Sequence, residues 1–137
     1  MNALFLGIFS EMGSSGDFYD AIGGRLYLVK APQGATFPFA VYDLITATDE
    51  LDFSEENETF QIQFDIWTQK AASNSMDEAG DILGYLKTVY DDCDLTVDGW
   101  RALSMVRDFV VPNNDFSQDP PVLGYSVQYT IELEKSK

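Results

Sequence analysis

Residues 59–68 constrain the fold of this 137-residue chain more than any other segment, because apolar and polar side chains alternate there. Alternate residues of an extended chain point to opposite sides, and a period of two is typical of a β-strand with one buried face. The apolar positions are Phe60, Ile62, Phe64 and Ile66, and the intervening residues are Gln61, Gln63, Asp65 and Trp67. The chain must therefore supply an apolar layer that packs on one side of this strand.

Two strands are predicted before this one. Residues 25–29 and 41–47 have the apolar and aromatic content of strands, and a turn rich in proline and glycine separates them. Pro32 fixes its own φ near a value that turns require, and Gly34 accepts a positive φ. Pro38 disfavours a helical conformation of the residue before it, so extended chain resumes there.

The C-terminal half contains signals for three more strands. Residues 95–97 and 100–111 flank an Asp-Gly pair, which predicts a hairpin. Residues 112–121 are predicted to form a polar loop. Apolar and polar side chains alternate again in residues 124–134, which predicts the last strand.

Two segments have the period of amphipathic helices. Residues 2–12 place four apolar side chains on one helical face, and a Gly/Ser-rich stop follows. Ser75 and Glu78 have the spacing of a capping box, which opens a second helix. Gly80 and Gly84 flank the apolar stripe of that helix and are expected to allow close approach to a strand. The stripe consists of Met76, Ala79, Ile82, Leu83, Leu86, Val89 and Tyr90.

The order of these elements predicts an α+β fold in one domain that spans residues 1–137. We expect a mostly antiparallel sheet of about five to six strands, with an N-terminal helix and one long amphipathic helix packed on it. An apolar fraction of 45%, with 14% aromatic residues, is typical of a globular chain that can bury a core of this kind.

The residue inventory argues against catalysis. Histidine is absent, which removes the commonest general base and metal ligand. Cys93 is the only cysteine, and the acidic residues beside it oppose formation of a thiolate. Residues 94–99 match the first half of a calcium loop, but Met105 occupies the twelfth position, where a glutamate is required. We expect no catalytic residue, no metal site and no cofactor.

The formal net charge is −15, from 23 acidic and 8 basic residues. A chain so poor in Lys and Arg is unsuited to wrapping nucleic acid. No segment is long enough to cross a membrane, and the apolar start lacks the basic residues of a signal peptide, so we expect no membrane association.

Two polar segments contain candidate contact residues. Residues 48–58 are strongly acidic yet include large apolar side chains, and the 112–121 loop includes a single phenylalanine. A solvated loop is the commoner explanation, and a segment that orders on meeting a partner is the alternative. The candidates for partner contact are Leu51, Phe53, Glu55, Glu56 and Phe116.

Several local phrases, in this order and spacing, resemble the tail terminator, or tail completion, proteins of long-tailed bacteriophages. They are Ile-Gly-Gly-Arg-Leu-Tyr at 22–27, Ala-Pro-Gln-Gly-Ala at 31–35, Phe-Pro-Phe-Ala-Val-Tyr at 37–42 and Phe-Asp-Ile-Trp-Thr at 64–68. The capped helix from Ser75 and the final strand also fit. The resemblance runs from residue 17 to residue 134, and the chain departs from it in the 48–58 and 112–121 segments.

This resemblance implies a structural role in the virion, with assembly in the host cytoplasm. Such proteins form a ring, typically of six subunits, on the head-proximal end of the tail tube. The ring stops addition of tube subunits and presents a surface to the head completion or connector protein. DNA passes through its bore, and an acidic wall would repel the phosphates.

Two alternatives remain open from the residues alone. One is another ring component of a phage, such as a head–tail connector or a tail tube subunit. The other is a stand-alone acidic binding module that captures a basic protein. The first differs from a terminator in its position on the tail, and the second predicts stoichiometric capture without a ring.

Overall fold

A six-stranded sheet and three helices form the fold in the computed structural model, which describes residues 2–49, 57–69, 75–118 and 120–135. The helices are α1 (Asn2–Met12), α2 (Asp17–Ile22) and α3 (Ser75–Tyr90). The strands are β1 (Leu26–Leu28), β2 (Phe39–Asp49), β3 (Asn57–Gln69), β4 (Thr96–Val97), β5 (Trp100–Asp115) and β6 (Val122–Lys135).

The strands lie in the order β1-β2-β3-β6-β5-β4. The pair β1–β2 is parallel, whereas β2–β3, β3–β6, β6–β5 and β5–β4 are antiparallel, so the sheet is mixed. The parallel pair was not expected. Residues 29–38 lead the chain back so that β2 runs in the same direction as β1. The Pro and Gly residues of this connection indicate turns but do not specify the direction of the strand that follows.

The alternation of residues 59–68 is confirmed as strand β3. Its apolar residues are buried against the helices, and the residues between them are only half-buried. The antiparallel partner β6 repeats the arrangement with Val127, Tyr129, Ile131 and Leu133 fully buried. These two adjacent strands form the floor of the core.

Helix α3 lies across β3 and β6. Its residues Ala79, Ile82, Leu86 and Tyr90 are fully or almost fully buried. Helix α1 contributes further buried side chains to the same cluster, which are Leu4, Ile8 and Met12. The helices therefore bury the face of the sheet to which the apolar residues of β3 point.

The first four residues of the predicted 112–121 loop belong to a strand, and the described residues after them form a turn. Strand β5 continues to Asp115, and β6 begins at Val122. Pro112 pairs with Tyr125 near the edge of the sheet, where the missing N–H of a proline is tolerated. The side chain of Asn113 donates to Ser126 Oγ at 3.0 Å, so polar residues here pair across strands.

The predicted close approach at Gly80 and Gly84 is wrong, because no described atom of another element would lie within 4 Å of a Cβ at either position. Close approaches occur instead at Gly7 of α1, where a Cβ would lie 2.5 Å from the carbonyl oxygen of Thr96 in β4, and at Gly124 in β6. A Cβ built there would overlap the backbone carbonyl of Ile66 in the neighbouring strand β3. Only glycine lets these two backbones lie so near each other.

Two matched glycine-to-alanine changes test this difference. Gly124→Ala should lower the free energy of unfolding by about 1–3 kcal/mol, because a rigid backbone carbonyl blocks the added methyl group. Gly84→Ala, in the interior of α3, should raise it by about 0.5–1 kcal/mol through helix propensity. Urea denaturation measures both, and equal stability of the two variants would contradict the packing described.

Candidate interaction surfaces

The described residues contain no group of three or more Cys, Asp or Glu side chains that could hold a metal ion. The segment resembling half a calcium loop forms the β4–β5 hairpin, with Gly99 at a φ of 83° in its turn. Cys93 is half-buried, with its Sγ 3.4 Å from Met105 Sδ. Burial, followed by the nearby charge of Glu11, raises the pKa of its thiol to about 12. The thiol is therefore protonated at neutral pH and poorly nucleophilic.

No helix in the part of the chain that the structure describes is long and apolar enough to cross a membrane.

The face of the sheet opposite α3, called here the open face, is polar along the middle of β2, β3 and β6 and apolar at the start of β2, where Phe39 pairs with Trp67. One row of neighbours runs Asp43, Gln63, Gln128, and the next includes Asp65 and Ser126. These side chains are organised, because Asp65 accepts hydrogen bonds from Gln63 Nε2 at 3.0 Å and from Ser126 Oγ at 2.5 Å. The open face thus has a fixed hydrogen-bonded surface.

Negative charge dominates the open face. Asp43, Asp65 and Glu132 lie on it, together with the Arg101–Glu134 ion pair, whose Nη2–Oε1 distance is 3.0 Å. Arg107, the other basic residue of β5, lies opposite buried Tyr129 and forms an ion pair with Asp91 on the helix side. Among the described residues, the open face therefore has excess carboxylates.

The polar rows end in apolar residues at β5. Val106, Phe109 and Val111, defined here as the β5 edge surface, lie beside Thr130, Gln128 and Ser126, and are 48%, 45% and 45% exposed. Strand β4 pairs only with the first two residues of β5, and no other described strand lies beyond the rest of it. Free edges of this length are sites at which strands of other chains add.

A second apolar surface lies at the opposite edge of the sheet. It is a groove of about 540 Å³ between α1 and β1, and Leu6 on its rim is 67% exposed. Its floor is fixed, because Tyr42 Oη donates to the Phe5 carbonyl at 3.1 Å and the two rings meet edge to face. The α1–β1 groove is lined chiefly by Phe5, Leu6, Phe9, Leu26, Leu28 and Tyr42.

The end of β1 beside this groove is strained. Val29 has a φ of 72°, and the N–H of Lys30 donates to the Leu28 carbonyl at 2.9 Å, so Val29 is the central residue of a γ-turn. A left-handed conformation of a β-branched residue costs about 1–3 kcal/mol, and such strain concentrates at functional sites. The Val29 side chain is 58% exposed, so burial of that side chain does not offset the strain.

Of the residues predicted to contact partners, only Phe116 lies in the part of the chain that the structure describes. Leu51, Phe53, Glu55 and Glu56 lie outside the described residues. Phe116 lies in the turn after β5 and is 73% exposed.

The sheet separates Phe116 from the points at which segment 50–56 joins the fold. Asp49 and Asn57, which flank that segment, lie at the end of the sheet where β6 finishes. Phe116 follows Asp115, which pairs with Val122 at the end where β6 begins. Strand β3 runs between the two ends with 13 residues, a length of about 40 Å at 3.3 Å per residue.

Sequence reasoning missed the α1–β1 groove and the β5 edge surface. Two signals were present: residues 3–9 are apolar around most of the helix, and Phe109-Val110-Val111 is apolar on both faces of a strand. Each pattern is typical of an element buried on all sides. The structure leaves one side of each element exposed, and exposed apolar surfaces of this kind are typical of interaction sites.

No protein-family model and no curated protein matches the sequence. Among solved structures, a chain of the virion of a native gene transfer agent particle superposes with a TM-score of 0.71. The alignment covers 93% of this chain and 91% of that one, at 8% identity, so the two share a fold. The bacteriophage SPP1 gp17 protein is also similar, with a TM-score of 0.48, 13% identity, and coverage of 95% and 88%.

Proposed function

We propose that this chain is a tail terminator of a long-tailed phage or phage-like particle. The observation that carries the proposal is the fold, which is shared over nearly its full length with a virion chain. The phrases from residue 22 to residue 68, read from the sequence alone, independently resemble the terminator family. In this role the protein caps the head-proximal end of the tail tube, stops tube growth and joins the tail to the head connector.

The exposed surfaces support assembly into a ring. A closed ring of identical subunits needs two different, complementary surfaces on each copy, related by a rotation that returns to its start. The α1–β1 groove and the β5 edge surface are two such surfaces, and they lie at opposite edges of the sheet. Six copies are the typical number for the family that the sequence resembles.

The two ends of the sheet support contacts with two further partners. A terminator has to touch the tube on one side and the head completion or connector protein on the other. Segment 50–56 joins the fold at one end of the sheet, and Phe116 lies at the other, about 40 Å away. We assign Leu51, Phe53, Glu55 and Glu56 to the tube side and Phe116 to the head side.

The open face is suited to line the bore. It is hydrogen-bonded, polar and rich in carboxylates, so it would repel DNA phosphates and offer them few cationic contacts. The genome would then pass the ring without binding to it. In this arrangement the helices lie on the outside of the ring.

Assembly is the first test of the proposal. Light scattering over a concentration series, with negative-stain images of each species, should show either a ring with an open bore or a monomer. Tail tubes assembled from the major tail protein encoded with this chain should recruit the protein to one end and stop growing. Tubes that elongate unchanged, without recruiting it, would refute the terminator assignment.

The same experiment separates the alternatives. A tail tube subunit would add along the tube rather than cap it, and a head–tail connector would bind the head and ignore isolated tubes. An acidic binding module would capture a basic protein and form no ring.

Variants at the two ends of the sheet should fail at different steps. Leu51→Ser with Phe53→Ser should lose capping of tail tubes, because it removes the apolar side chains of the tube contact. Phe116→Ser should still cap tubes but lower head joining by roughly tenfold, as expected for an exposed aromatic contact worth about 1.4 kcal/mol. Electron microscopy counts both products, and circular dichroism checks folding. Identical defects in the two variants would contradict the assignment of the ends.

Charge reversal on the open face should slow DNA passage. Asp43→Lys with Glu132→Lys places two cationic groups in each copy where carboxylates stood, so phosphates should bind the wall. The matched control is Asp81→Lys with Asp94→Lys, which makes the same change in net charge at exposed sites off the open face. We expect slower DNA ejection for the first variant only, most clearly at low salt. Unaltered ejection by assembled particles would rule out this lining of the bore.

A further inference from the structure

We infer that the β5 edge surface of one copy binds the α1–β1 groove of a second copy, head to tail. This inference rests on the proposed function only in requiring that copies of the chain associate. Beyond the proposed function, the inference specifies which two surfaces meet. It also identifies another copy of the same chain as the molecule that covers each exposed apolar surface.

Position is the first argument. Strands β1 and β5 are separated by four strand spacings along the sheet, or roughly 19 Å at 4.8 Å each. A contact between unlike surfaces at opposite edges repeats from copy to copy in one direction. Contact between two identical edges would instead stop at a dimer and leave both α1–β1 grooves empty.

Charge complementarity is the second argument. Residues 21–42, which include β1 and its flanking turns, contain Arg25 and Lys30 and no acidic residue. Residues 108–134, which include most of the β5 edge surface, contain five acidic residues and no basic one. In a chain of net charge −15, these segments are the natural attractive pair, and contact between two copies of either would be repulsive.

The apolar parts match as well. Val106, Phe109 and Val111 present aliphatic and aromatic side chains from an edge strand. The α1–β1 groove offers aromatic and leucine side chains around a concave space of about 540 Å³, with room for a phenylalanine ring. Exposed, strained Val29 follows Leu28 of the groove lining, so a partner seated in the groove would lie close to it.

Disulfide trapping tests this pairing. In a Cys93→Ser background, Leu6→Cys and Phe109→Cys proteins are mixed, allowed to assemble alone or on tail tubes, and oxidised. We expect at least about tenfold more cross-linked dimer from the mixture than from either protein alone, as a head-to-tail contact requires. Tyr85→Cys, exposed on α3 and outside both surfaces, replaces either partner as the matched control.

Charge exchange gives a second readout that does not alter the apolar surfaces. Lys30→Glu and Asp108→Lys should each weaken assembly alone, and an equal mixture of the two should recover it. Rings or capped tubes that form without cross-linking above the Tyr85→Cys control would overturn this pairing and leave the terminator assignment standing. Dimers from Leu6→Cys alone would overturn it in favour of a symmetric contact. Absence of any assembly, with or without tubes, would refute both proposals.

Discussion

One buried tyrosine connects every layer of the fold. The ring of Tyr90, at the end of α3, lies 4.6 Å from that of Phe64 in β3 and 6.3 Å from that of Phe18 in α2. Its hydroxyl donates to the Ile8 carbonyl of α1 at 2.7 Å, so all three helices meet at this side chain. Burial raises the pKa of Tyr90 well above its usual value, which keeps the phenol neutral and able to donate. Because this centre gathers the helices on one face of the sheet, the helices leave the opposite face and the part of β5 beyond β4 uncovered.

The sequence specified the parts of the fold that depend on local periodicity. Strand β3, the start of α3 and the β4–β5 hairpin were predicted because alternation, a capping box and an Asp-Gly turn act within a few residues. The parallel β1–β2 pair and the close approach at Gly124 depend on residues that are distant in sequence, and no local signal identifies them. The same limit applies to the candidate site. The exposure of Phe116 could be inferred from the polar residues around it in the sequence. The α1–β1 groove and the β5 edge surface could not, because they depend on the strand order, which leaves β1 and most of β5 at the edges of the sheet.

The edges of the sheet carry features that prevent indiscriminate pairing. Strand β5 has register shifts near Leu103 and Asp108 and a proline near its end, and such bulges and prolines disrupt regular addition of foreign strands. Strand β1 has only three residues and ends in the turn at Val29. Each edge is thus a poor template for an arbitrary strand yet retains exposed apolar side chains. That combination favours a partner of matching shape over aggregation.

The uneven distribution of charge bears on when a ring can form. Subunits of net charge −15 repel one another, and at physiological salt the repulsion between exposed charges is screened beyond about 8 Å. A stable contact between two copies must therefore keep carboxylates of one copy away from carboxylates of the other. The stretch 21–42 meets this requirement because it contains no acidic residue. The attraction has to exceed the remaining repulsion together with the entropy lost on association. In the role proposed above, a contact of this kind would be weak between free subunits and would become strong when a tail tube holds neighbours in register, because the tube supplies a high effective concentration. Closure of the proposed ring would then be coupled to the presence of a finished tube, which is the condition under which a terminator should act.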